Sequence, residues 1–148
     1  MLKETLIELF TRDLNTLKNE IALYSDDTTL WKVENSIKNS GGNLCLHIIG
    51  NLKTFIGNAL ALDDYIRRRD FEFSGKNVDR TILYKEIDET ISIVTKGISM
   101  LSDDQLNGNY PALIWKNETK TDFTLIHLHS HLTYHLGQIN YHRRLLEH

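Results

Sequence analysis

HSHLTYHLGQINYHRRLL, residues 129–146, reads as the greater part of a long amphipathic helix. Upstream of and within it, Leu125, Leu128, Leu132, Leu136, Ile139 and Leu146 form one apolar stripe at helical spacing. His127, His131, His135, Gln138 and His142 trace a polar line beside that stripe, at the edge of the expected core. His131 and His135 stand four residues apart, on one face and about one turn apart, so their imidazoles can share one metal ion. Thr121 or Asp122 is the expected N-cap of this helix.

Three further segments carry the same pattern. Leu6, Phe10, Leu14, Leu17, Ile21 and Tyr24 are spaced 4, 4, 3, 4 and 3, which predicts a first helix over 2–24. Leu44, Ile48, Leu52, Phe55, Ala59 and Leu62 repeat that spacing after the turn signal Asn39-Ser40-Gly41-Gly42-Asn43. Leu83, Ile87, Ile91, Val94, Ile98 and Leu101 repeat it again, behind Asp79 as N-cap. Between the first two helices, Leu30, Trp31 and Val33 form a short apolar patch expected to pack back on the core. Residues 63–78 and 105–121 lose the helical period and read as long connections, the second with one brief strand-like piece. The expected architecture is all-α: a four-helix bundle with two long connections, one domain over 1–148.

Composition narrows the function classes. A formal charge of −3 argues against binding nucleic acid by phosphate neutralisation. No apolar run is long enough to span a bilayer, and the charged N-terminal segment lacks the apolar core of a signal peptide. Cys45 is the only cysteine, so no internal disulfide can form. A cytoplasmic protein follows. Cys45 itself is expected to pack as a small apolar residue, Gly41-Gly42 to make a turn, and Arg67-Arg68-Arg69 with Asp70 and Glu72 to form a solvated charge run.

His47 lies beside the stripe of the second helix, so packing can carry it across to His131 and His135. Histidines on a half-buried helix face can also simply hydrogen-bond their neighbours, and spacing by itself does not separate the two readings. Burying several imidazoles is nevertheless unfavourable unless each finds a partner, and one metal ion would satisfy them together. Three histidines leave coordination positions open, which is the pattern of a catalytic rather than a structural site. Imidazole suits zinc, nickel, copper and iron alike. An open position can hold a water, a thiolate or a carbonyl oxygen. His127, one turn above His131, is the competing ligand. His129 points about 160° away from His131. His142 is too far along the helix to share an ion with His131, and His148 at the chain end is expected to be solvated. Asn51 and Gln138, about one turn after His47 and His135, are candidates to orient a ligand or a bound water.

The pairing of Leu46-His47-Ile48-Ile49-Gly50-Asn51 with His131-x-x-x-His135-x-Gly137-Gln138-Ile139 resembles the DinB/YfiT-like family of metalloenzymes. Arg67-x-Arg69-Asp70-x-Glu72-Phe73 is similar to a segment of one small branch of it. The resemblance covers nearly the whole chain. It implies a four-helix bundle, often a homodimer, with a divalent metal held in a cleft by His47, His131 and His135. Zinc or nickel is the expected ion, with iron as a further option. His142 stands where similar sequences carry a small or apolar residue. The activities implied are a thiol-dependent S-transferase using a low-molecular-weight thiol, or a related hydrolase, acting on a small-molecule substrate. The alternative is a non-catalytic metal-binding or dimeric interaction module. No Asp or Glu is placed clearly enough to serve as general base.

Overall fold

A computed structural model describes residues 1–147; His148, and with it the expectation of a solvated terminal imidazole, lies outside the described residues. Among those residues the chain is all-helical, with no strand beyond two isolated bridges, Glu34–Ile37 and Asn109–Lys120. The helices are α1 (Leu2–Leu23), α2 (Asp27–Leu30), α3 (Gly41–Leu52), α4 (Arg69–Ser74), α5 (Arg80–Ser99), α6 (Asp103–Asn107) and α7 (Thr121–Leu146). A π-helical segment, Lys53–Asn58, prolongs α3.

The predicted stripes are the core. Phe10, Leu14, Leu17, Ile21, Ile48, Leu52, Leu83, Ile87, Ile98, Leu125, Leu128, Leu132 and Ile139 are all buried. The π-helical segment closes its turns with an extra residue, which turns the helix relative to an α-helical stripe. Ile56 is fully buried there, whereas Phe55 and Ala59 only flank the core. Leu62, expected to end the second stripe, is instead exposed and left-handed at φ 54°, past the end of the helix. Val33 is exposed too, so only Leu30 and Trp31 of the predicted patch pack inward.

Polar pairs between helices give their directions. Lys18 meets Asp88 and Lys3 meets the Leu101 carbonyl, so α5 runs antiparallel to α1. Asp13 meets His129 and Glu20 meets Asn140, so α7 runs parallel to α1. His47 meets both His131 and His135, and its neighbour Leu44 shares a cavity with His142 and Leu145, so α3 runs antiparallel to α7. By the same directions α3 and α5 are parallel. The connection between them must therefore travel back along the whole length of α3. Short helix α4 lies on that return path.

Caps follow sequence chemistry in most places. Asp79 caps α5 as expected, Ser40 caps α3, and Ser102 with Gln105 makes a capping box on α6. The last helix differs. Lys120 occupies its N-cap without a side-chain hydrogen bond, and Thr121 is already helical and buried, its N–H given to the Gly108 carbonyl at 2.9 Å. Backbone pairing across the Asn109–Lys120 bridge replaces the expected side-chain cap.

Candidate metal centre

Three helical turns converge. His47 comes from the middle of α3, and His131 and His135 from the facing side of α7. The His47 and His131 Nε2 atoms are 3.2 Å apart, and those of His135 and His131 are 3.0 Å apart. The three residues form a group whose candidate ligand atoms all lie within 4.8 Å of one another. Two nitrogens bound at about 2.0 Å to one tetrahedral ion stand about 3.3 Å apart, close to these spacings.

The outer nitrogens explain why the inner ones face each other. His47 Nδ1 is 2.9 Å from Glu72 Oε1. Glu72 is buried, yet hydrogen bonds from His47 and Arg67 more than offset that burial and hold its carboxyl below the usual carboxylate range. A carboxylate can only accept, so Nδ1 donates, and a ring carrying that one proton presents a bare Nε2. His135 Nδ1 stands 2.7 Å from Gln138 Oε1 and presents its Nε2 in the same way.

His131 completes the set. Burial, reinforced by the neighbouring His135 and His47, pushes its pKa down to about 4, so at neutral pH it carries a single proton. On Nε2 that proton can serve only one of two facing lone pairs. On Nδ1 it is buried with no hydrogen-bond partner. Either way a polar group is left unsatisfied, at a cost of roughly 1–3 kcal/mol. A cation among the three Nε2 atoms removes the conflict, because all three rings can then present lone pairs. The residues present fit a divalent ion.

Glu72 was not legible as part of the site. Its segment has the composition of a solvated charge run, but Arg67 is half-buried and Glu72 buried. Arg67 grips Glu72 with Nε at 2.9 Å from Oε2 and Nη2 at 3.0 Å from Oε1. Arg68, Arg69 and Asp70 are exposed as expected, the two arginines lying over the Phe71 and Phe73 rings. Asn43 fixes the segment by donating to the Glu72 and Gly75 carbonyls at 3.1 and 2.8 Å. Gly50 makes the approach possible: a Cβ there would overlap the Glu72 carboxylate.

The other histidines are held elsewhere. His129 pairs with buried Asp13 at 2.7 Å, on the α1 side of the helix. Buried His142 bonds the Tyr24 hydroxyl and the Lys32 carbonyl at 2.7 and 2.8 Å. His127 packs on Trp115, and its ring centroid is 6.4 Å from that of His131. Cys45 is fully buried, and burial raises its pKa. Asn51, one turn beyond His47, is buried with Oδ1 unpartnered.

An all-helical chain with three imidazoles converging on one point is a candidate metal-binding helical protein. It belongs to DUF1572, a family described as protein of unknown function, whose family model matches residues 2–148. The crystal structure of a conserved protein from Enterococcus faecalis shares the fold, with a TM-score of 0.76 over 97% of this chain and 95% of that one at 13% identity. No curated protein matches the chain. No helix of the described residues is long and apolar enough to cross a membrane.

Proposed function

We propose that the protein is a divalent-metal-dependent enzyme of the DinB/YfiT-like kind, a four-helix bundle in one domain acting in the cytoplasm. His47, His131 and His135 would hold the ion; the family resemblance points to zinc or nickel, and the all-imidazole donor set is equally compatible with iron. The observation that carries this reading is the double orientation of the site: Glu72 and Gln138 each accept a hydrogen bond from an Nδ1–H, which turns an Nε2 lone pair inward. Bound there, a divalent ion supplies Lewis acidity, polarising a substrate oxygen or favouring deprotonation of a water or thiol.

The chain's own residues position rather than attack. Both Glu72 oxygens are engaged, Oε1 by His47 and Arg67 and Oε2 by Arg67, so Glu72 fixes a ring and is not a free base. Cys45 is buried and its thiol disfavours ionisation, so it is no nucleophile. The nucleophile then comes with the substrates. That supports a thiol-dependent S-transferase using a low-molecular-weight thiol, or a hydrolase using water. Asn51 Oδ1 has no partner of its own and is the acceptor we assign to orienting a ligand or a bound water.

A homodimer is part of the reading. Phe123, Ile126 and Tyr134 share one exposed face of α7, and Leu113 and Trp115 are exposed near its N-terminal end, with Trp115 6.0 Å from Phe123. An apolar patch of that kind suits a second copy of the chain.

The enzymatic reading is tested by assaying a chromogenic electrophile with a panel of low-molecular-weight thiols, and a chromogenic ester with water alone. Turnover that needs both metal and thiol supports the transferase; metal-dependent ester cleavage without thiol supports the hydrolase. Metal binding without turnover in either assay points to the non-catalytic module.

A further inference from the structure

A cavity of about 410 Å³ opens beside the histidine cluster, between the start of α3 and the last turns of α7. Its size is that of a small-molecule pocket. Leu44, Tyr141 and Leu145 give it an apolar wall, and Lys38, Asn39 and Gln138 give it a polar one. Among the described residues no Asp or Glu lines it. Lys38 has no carboxylate partner among them either, in a chain whose net charge is −3. Gln138 joins the cavity to the cluster: its Oε1 accepts from His135, which leaves the two amide N–H donors for a guest. Leu44 lies one turn before His47 on α3.

We propose that this cavity binds a small amphipathic carboxylate. The apolar body lies against Leu44, Tyr141 and Leu145, and the carboxylate is met by the Lys38 ammonium, with the Gln138 amide donating to an oxygen of the guest. A single lysine supplies one positive charge, which balances a monoanion and leaves a dianionic phosphate half-compensated. The inference rests on the proposed function only in making this molecule the substrate; binding itself does not require the metal.

The test is calorimetric titration of chelator-treated protein with octanoate and, separately, with neutral octanamide. Octanoate is expected to bind saturably and roughly two- to fivefold more tightly than the amide. Lys38→Met, at an exposed position, is expected to abolish that preference, whereas Lys18→Met preserves it. His131→Ala is expected to leave octanoate binding intact while losing metal, so failure of the metal reading and failure of this one are distinguishable. Equal affinity for acid and amide, an unchanged preference in Lys38→Met, loss of octanoate binding in His131→Ala, or no saturable binding below about 10 mM would each overturn the proposal.

Discussion

His47 Nδ1 and Glu72 Oε1 stand 2.9 Å apart although 25 residues separate them in sequence. The pair exists because α3 and α5 run parallel, so the chain must come back along α3, and because Gly50 lets the carboxylate lie against the helix backbone. A histidine on a helix face becomes an oriented ligand through a residue on the return path.

Glu72→Gln should therefore weaken metal binding without emptying the site. The amide oxygen can still accept from His47, but the charge and the bidentate Arg67 contact are lost. Loss of such an orienting partner lowers metal affinity roughly 10- to 100-fold. Competition against a chromophoric chelator reads this directly; unchanged affinity would mean that Glu72 does not orient His47.

Gly50→Ala should disturb the same contact from the other side. The new methyl displaces Glu72, and overpacking of this kind costs about 1–3 kcal/mol. Urea unfolding should show the loss, and metal affinity should fall with it. Gly137→Ala is the control, since a Cβ there meets nothing within 4 Å.

Acid should destabilise the metal-free protein before most carboxylates titrate. Burial lowers the pKa of His131 to about 4, and also lowers those of His135 and His142. The unfolded chain takes up these protons near pH 6.5, whereas the folded chain resists them. Stability is thus fully present above about pH 6.5 and falls as pH drops towards 4. Urea midpoints measured in chelator should decline across that window, and His131→Leu should flatten the decline. A midpoint constant from pH 7 to pH 4.5 would contradict the assigned burial.

The apolar face of α7 predicts an assembly. Tyr134→Glu places a charge in the patch formed with Phe123 and Ile126, and should shift a dimer to monomer in light scattering after size exclusion. If the unsubstituted chain already runs as a monomer at high concentration, the homodimer is wrong.

Much of this site could be read from the residues. The stripes of α1, α5 and α7 repeat at three- and four-residue spacing because each helix buries one face, and His131 and His135 lie beside such a stripe. Long-range partners could not be read that way. Arg67 and Glu72 sit in a segment with no period, where charge alone suggests solvent, and only the parallel course of α3 and α5 brings them inward. Leu62 departs for a related reason, since periodicity marks an apolar residue but the end of the helix decides whether it is buried; Val33 lies in a connection without a period, where apolar character alone does not say which side chains turn inward. Gly50 carried a hint, since a glycine inside a helix lowers helix propensity and invites a close neighbour, though not the identity of that neighbour.

His47, His131 and His135 are assigned together to one divalent ion. Elemental analysis of protein purified without a metal-affinity tag tests that assignment most directly, comparing the unsubstituted chain with His131→Ala, His127→Ala and His129→Ala. About one divalent ion per chain is expected, lost in His131→Ala and retained in the other two variants if folded. Equal metal content in all four, or loss in His127→Ala with retention in His131→Ala, would contradict it.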